Sequence, residues 1–258
     1  MLSYQHSYHA GNLADVHKHA LLACALEYMT AKDKPLTYFE THAGRGAYDL
    51  TSEAAVKTGE AARGILRLAE AFPPEHPYSA VRKRIARVYG EAIYPGSPLI
   101  ATHFLRPGDQ AHLAEMHPQE FAALEDLNFD DAHKLFHGDG IAMALARTPP
   151  TPRRGLMLID PSYEVKAEYD ALPRQIAQLH AKWNVGVIAL WYPILVDGRH
   201  QPMVRGLREA VPEITIHEVR FKPARPDHGM VGSGMALINP PYGLKAELAR
   251  LDRLFKPL

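Results

Sequence analysis

An α/β fold with a seven-stranded, mostly parallel sheet is predicted by three observations. Short apolar runs alternate with helical stretches along almost the whole chain, the pattern of strands joined by covering helices. Polar and glycine residues suited to chemistry recur at the ends of successive runs, where ligands of such folds gather. Hydrophobic residues make up 47% and charged residues 22%, enough for a large core and against global disorder. At 258 residues the chain fits one domain, 1–258, better than two equal ones.

The elements follow in order. A polar segment rich in Tyr and His precedes a helix expected over Ala14 to Met29. The strands expected are Leu36 to Thr41, His112 to Met116, Lys134 to His137, Gly155 to Asp160, Val185 to Tyr192, Ile214 to Phe221 and Gly234 to Asn239. Between the first and second lies a long gap, about residues 47–111. It reads as helices, GEAARGILRLAEAF and then, past Pro73, Pro74 and Pro77, AVRKRIARVYGEAI. The spacing predicts a small helical insertion subdomain there.

Composition narrows the function classes. The single Cys24 excludes an internal disulfide and suits a reducing compartment. No stretch approaches the roughly 18 apolar residues of a membrane span, and Met1 to Ala20 has no apolar run of a secretory signal. A cytoplasmic protein is expected. Lys plus Arg and Asp plus Glu are both 29, so any attraction to phosphates has to be local. The candidate clusters are Arg82, Lys83, Arg84 and Arg87, and Arg220, Lys222 and Arg225; both also suit ordinary solvated faces. The 15 histidines lack zinc-site spacing and the H-E-x-x-H signature, so no metal is expected. A G-x-S-x-G nucleophile elbow is missing too.

Four strand ends carry the candidate chemistry. Glu40-Thr41-His42-Ala43-Gly44-Arg45-Gly46 follows the first strand, and its glycines allow backbone to approach a ligand closely. Asp49 stands where a dinucleotide fingerprint has its third glycine, which disfavours a nicotinamide oxidoreductase. Glu115 ends the second strand, where a carboxylate can accept from two vicinal ribose hydroxyls. Asp139-Gly140 ends the third, where Asp139 can meet an adenine amine; a plain turn also favours Asp-Gly. Asp160-Pro161-Ser162-Tyr163 ends the fourth and approximates the D/N-P-P-Y/F/W motif of amino-methyltransferases, with Ser162 in place of the second proline. An exocyclic amine is a poor nucleophile because its lone pair is delocalised. The Asp160 carboxylate and Pro161 carbonyl can hold its hydrogens while Tyr163 stacks on the base. Asn239-Pro240-Pro241-Tyr242 matches the motif more literally, but it follows the last strand. If that strand is antiparallel, its end lies at the opposite sheet edge.

Taken together these residues resemble the bacterial 23S ribosomal RNA adenine-N6 methyltransferases (RlmJ type) over the full length. The most specific match is MLSYxHSYHAGNxADVxKH at residues 1–19, followed by THAGRG, YPGSPLIA, AEMHP, the Asp-Gly at 139, ID-P-x-Y, LWYP and RPD…GM…SGM…INPPY. The resemblance implies a Rossmann-like class I methyltransferase fold, S-adenosyl-L-methionine as cofactor and 23S ribosomal RNA, protein-free or early precursor, as substrate. A monomer with no obligate protein partner is implied as well. Carried over by position, Asp160, Pro161 and Tyr163 are the catalytic loop. His19, His42, Gly44, Ser97, Glu115, Asp139 and Gly140 are the cofactor contacts, and Tyr4 and Lys18 lie near the entering adenine. Two alternatives stay open on the motifs alone: the same chemistry on DNA adenine, and a non-catalytic nucleic-acid-binding protein linked to external DNA use.

Overall fold

The computed structural model describes residues 5–223 and 229–258; Tyr4 and Arg225 lie outside the described residues. Seven strands form one sheet: β1 (Thr37–Glu40), β4 (Gln110–Glu115), β5 (His133–His137), β6 (Gly155–Ile159), β7 (Val187–Leu195), β8 (Thr215–Arg220) and β9 (Met230–Ile238). Their order is β5-β4-β1-β6-β7-β9-β8, and every pairing is parallel except those of β9, which runs against β7 and β8. All seven expected strands are present, and the last is the antiparallel one. The chain moves outward from β1 to β5, then returns to the other side of β1 at β6. That reversal opens a crevice at the carboxyl ends of β1, β4 and β6.

Strand alternation splits the core across the two faces of the sheet. Tyr38, Leu156 and Leu158 point into the layer containing α1 (Leu13–Thr30), α6 (Ser97–Phe104) and α11 (Leu244–Phe255). Phe39, Met157 and Ile159 point into the other, with α8 (Gly140–Arg147), α9 (Ala167–Lys182) and α10 (His200–Ala210). Helix α7 (Pro118–Glu125) follows β4. Helix α1 is not amphipathic. Residues on all its sides are buried, among them Asp15, His17, Lys18 and His19, which is the pattern of a helix enclosed by protein. Its start is fixed by Asn12, whose side chain accepts from the Asp15 amide at 2.8 Å.

Residues 47–111 hold more than the helices read from the sequence. The helical stretches are α2 (Glu53–Thr58), α3 (Glu60–Arg63), α4 (Ile65–Leu68), a 3-10 turn over Ala69–Ala71 and α5 (Pro77–Tyr89). An antiparallel ribbon of β2 (Ala47–Asp49) and β3 (Ile93–Pro95) closes over their base, with Tyr48 opposite Tyr94. Strands of three residues leave no periodicity to detect, which is why helices alone were expected. Helix α6 lies within the same span but packs on α1 beside the sheet. Among the described residues no helix is long and apolar enough to cross a membrane.

The closest approach in the sheet sets a stability test. A Cβ on Gly155 would lie 2.0 Å from the Thr37 carbonyl and 3.1 Å from the buried Trp183 ring. Neither neighbour is a flexible tip, so the β1–β6 spacing itself has to widen. Gly155→Ala is expected to lower the unfolding free energy by about 1–3 kcal/mol, read as a reduced midpoint in urea denaturation.

Candidate active site

The crevice contains a cavity of about 570 Å³ lined by the described residues that the sequence and the resemblance assigned to catalysis, cofactor and substrate: Lys18, His19, His42, Gly44, Ser97, Glu115, Asp139, Gly140, Asp160, Pro161 and Tyr163. They come from six places in the chain and meet because β1, β4 and β6 end side by side.

Backbone groups fix the acidic side chains. Glu115 accepts from the Gly44 amide (2.8 Å) through Oε2 and from the His117 amide (2.7 Å) through Oε1, which sets the carboxylate plane at the mouth. Asp139 caps α8 through Oδ1, accepting from Ile141 (2.8 Å) and Ala142 (3.0 Å), so Oδ2 is left for a ligand. Gly44 adopts φ +61°, and a Cβ there would meet the Tyr48 hydroxyl at 2.4 Å. At Gly140 a Cβ would lie 1.9 Å from the Thr41 carbonyl; only glycine lets the start of α8 touch the β1 loop. Arg45 fastens that loop to α7 through Glu120, with Nε and Nη2 at 2.9 and 2.6 Å, a bidentate bond.

Asp160 is held by charge. Lys18 Nζ donates to its Oδ2 at 2.5 Å and lies 3.1 Å from Asp15 Oδ1. Burial alone would lower the lysine, but the Asp160 and Asp15 carboxylates raise it above its ordinary value. Burial would likewise raise Asp15, yet His6, Lys18 and His19 hold it well below the usual carboxylate range. Asp15 also accepts from the Gly11 amide and His6 Nε2, each at 2.8 Å. Nearby, Ser97 Oγ and Tyr38 Oη donate to Glu40; burial outweighs those bonds and pushes Glu40 up to about 8. Tyr163 adopts φ +57°, an uncommon conformation for a bulky residue. Its hydroxyl donates to the Trp191 carbonyl at 2.7 Å, and its ring packs 4.5 Å from that of Tyr169.

Asn239 lies elsewhere. β9 runs antiparallel to β7, so its end meets the start of β7, where Asn239 Nδ2 donates to the Asn184 and Gly186 carbonyls. Tyr242 of the same motif is 85% exposed.

The chain matches the family model described as ribosomal RNA large subunit methyltransferase D, RlmJ, over residues 33–256. Ribosomal RNA large subunit methyltransferase J of Escherichia coli K12 is 40% identical over 96% of this chain and 90% of its own length. The Haemophilus influenzae protein of the same name is 38% identical over 97% and 92%. The chain belongs to this methyltransferase family. A crystal structure of a Legionella pneumophila protein superposes with a TM-score of 0.85 at 36% identity, covering 96% of this chain and 95% of that one. Spermidine synthase of Thermotoga maritima, at 13% identity and a TM-score of 0.50 over 94% and 66% of the two chains, shares the Rossmann-like fold alone.

Within that family frame, two cavity residues escaped the sequence reading of roles. Asp15 stands three residues before Lys18, an i,i+3 spacing that places the two on one helix face; that was the available signal. Trp191, in the LWYP run, gave none. The electrostatics also set a pH dependence. Burial pushes His19 down to about 3, against the pull of Asp15, and lowers His17 and His42 too. The unfolded chain therefore binds these protons first. Their contribution is complete above about pH 6.5 and lost as pH falls, by up to about 1.4 kcal/mol per pH unit for each histidine. Glu40 acts in the opposite sense over part of that range. The difference between wild type and His19→Gln isolates one group: urea midpoints measured from pH 8 to 5 are expected to fall less steeply in the variant.

Proposed function

We propose that this chain transfers a methyl group from S-adenosyl-L-methionine to the N6 amine of an adenine in 23S ribosomal RNA. The observation that carries the proposal is the Asp160–Lys18 pair beside Pro161 at the end of β6, sharing one cavity with Glu115 at the end of β4 and Asp139 after β5.

The lining fits that cofactor. Among the described residues that line the cavity, Lys18 is the one lysine or arginine, and it is already paired with two carboxylates. Asp15, Glu115, Asp139 and Asp160 face the same space. Such a surface suits a ligand with positive charge and no phosphate, and disfavours a dinucleotide. Glu115 would take the ribose hydroxyls and Asp139 Oδ2 the adenine amine, with Gly44 and Gly140 keeping the backbone bare. His19, His42 and Ser97 complete the contacts. When bound, S-adenosylmethionine supplies an electrophilic methyl group.

The protein's part is positioning and polarisation. Lys18 occupies Asp160 Oδ2, so Oδ1 is left to accept from the adenine amine. The Pro161 carbonyl accepts the second hydrogen. Drawing on both hydrogens shifts lone-pair density back onto nitrogen and favours a tetrahedral geometry. Tyr163 would stack on the base, using the ring face turned away from Tyr169, while Tyr4 and Lys18 stand near the entering nucleotide. Residues 47–111 serve as an inserted subdomain meeting RNA beyond the target; on α5, Lys83, Arg84 and Arg87 are exposed. The enzyme works as a cytoplasmic monomer on protein-free or early precursor RNA.

The test incubates purified protein with radiolabelled cofactor and protein-free ribosomal RNA from a strain lacking the gene, then digests to nucleosides. Label in N6-methyladenosine is expected. Asp160→Ala is expected to lower turnover by at least about 10²-fold, with Asn239→Ala near wild type. Equal labelling of matched DNA hairpins would move the substrate to DNA, and the reverse mutant pattern would move the site.

A further inference from the structure

We propose that Ser233, His17 and His217 form a one-way hydrogen-bond relay that positions Trp191 as a wall of the active site, making all three positioning residues for methyl transfer. The proposal rests on the functional reading above for its kinetic consequence; the relay itself stands on geometry.

Trp191 lines the cavity and touches both neighbours of Asp160. Its ring lies 5.6 Å below Lys18 Nζ, within cation–π range, and its carbonyl accepts the Tyr163 hydroxyl at 2.7 Å. Its indole Nε1 points away from the cavity, to Ser233 Oγ at 2.9 Å. From there the chain continues. Ser233 Oγ is 2.8 Å from His17 Nδ1, and His17 Nε2 is 2.9 Å from His217 Nδ1. His217 Nε2 ends it at Asp252 Oδ1 (3.1 Å) and the Leu248 carbonyl (3.2 Å).

The direction follows from the α11 end when each imidazole carries one proton. An indole N–H only donates, and a carbonyl or carboxylate oxygen only accepts. Ser233 therefore accepts from Trp191 and gives its own hydroxyl proton to His17 Nδ1. His17 then carries its proton on Nε2 and donates to His217 Nδ1, and His217 donates from Nε2 to α11. In this arrangement each imidazole carries its proton on Nε2 and every donor finds an acceptor. Ser233 and His17 are fully buried and His217 is 7% exposed; burial, then the neighbouring His217, holds His17 well below its ordinary value. Phe255 of α11 closes over the His17 ring at 6.0 Å.

Apolar side chains could fill this space without the desolvation cost of two imidazoles and a hydroxyl. What they could not do is fix the indole by its one polar atom. A bond at Nε1 sets the rotation of the ring, and with it the face that lies under Lys18. His17 and Lys18 are consecutive on α1, about 100° apart around the helix axis, so one helix turns its relay into the sheet and its ammonium into the site.

Two measurements test this. The first, on full-length ¹⁵N-labelled wild type, records imidazole nitrogen correlations at neutral pH. His17 and His217 are both expected in the Nε2–H form, whatever the enzyme's substrate; a proton on His17 Nδ1 overturns the relay. The second compares Ser233→Ala and Ser233→Thr for methylation of protein-free ribosomal RNA. Ser233→Ala is expected to lower kcat by roughly tenfold or more with KM for cofactor within about twofold, and Ser233→Thr, which keeps the hydroxyl, to restore much of it. Ser233→Ala and Trp191→Phe combined are expected to cost no more than the larger single loss. An unchanged kcat in Ser233→Ala, or additive losses, overturns the positioning role. A wild type inactive on RNA would instead fail the functional reading and leave the nitrogen correlations to decide the relay.

Discussion

Lys18 between Asp15 and Asp160 is the constraint on which the site's geometry depends. Three charges meet at the cavity wall, Asp15 and Lys18 buried and Asp160 14% exposed. A buried ion pair adds little net stability compared with apolar packing, but removing one member strands the others at a cost of several kcal/mol. Its value here lies in location. Lys18 belongs to a helix near the start of the chain and Asp160 to a strand end 142 residues later. Asp15 extends the connection to the Gly11 amide, and the Gly11 carbonyl accepts from Ile65 of α4 at 2.8 Å. Glu60 of α3 takes Asn12 and His9. One group of charges thus ties the Asp160 loop, the N-terminal segment and the inserted helices into a single arrangement around the cavity.

The neutral composition becomes intelligible once the cations are placed. Several arginines are absorbed in holding the fold. Arg106 donates to the Thr30, Lys32 and Lys34 carbonyls at and beyond the end of α1, at 2.6, 2.7 and 2.9 Å, and Arg154 to those of Met29 and Lys34. Arg45 and Arg250 are each bidentate to a buried glutamate. These residues neutralise helix-end carbonyls and carboxylates and add nothing to a phosphate-binding surface. The exposed cations of α5 are not spent in this way. Attraction to RNA in a protein of zero formal charge has to come from such local groups, so its range is set by the screening length near them and not by a field of the whole molecule.

The strands and their terminal motifs were legible in the sequence because both are local signals. An apolar run of four to nine residues and the polar residue ending it are neighbours in the chain, and their order along the sheet follows from the handedness of the crossovers. Asp160, Glu115, Asp139 and Gly140 were found in this way. Ser97, His19 and Tyr4 were not, and entered through family resemblance: Ser97 lies at the start of α6 and His19 in the middle of α1, where no strand end marks them. Trp191 and the His17–His217 pair were invisible for a further reason. His17 meets His217 across 200 residues, and a buried imidazole whose partners are so distant looks, in sequence, like any histidine on a helix. The β2–β3 ribbon failed at the opposite extreme, too short to carry a period.

The charge arrangement also limits what Asp160 can do. Its Oδ2 receives the Lys18 ammonium at 2.5 Å, so the oxygen that remains to meet a ligand is Oδ1. An amine that loses a proton only after methylation does not need a strong base. What it needs is an acceptor already aimed at the hydrogen when the nitrogen is still planar. In the proposed reaction Lys18 would meet that need by fixing one oxygen so that the other has a single direction, while Pro161, lacking an N–H, would offer only a carbonyl next to it. Strand polarity makes the same point from the other side. The Asn239 loop has the more complete motif, yet its side chain is consumed in bonds to the start of β7. Chemistry follows the end of the strand and the charge beside it more closely than the spelling of the motif.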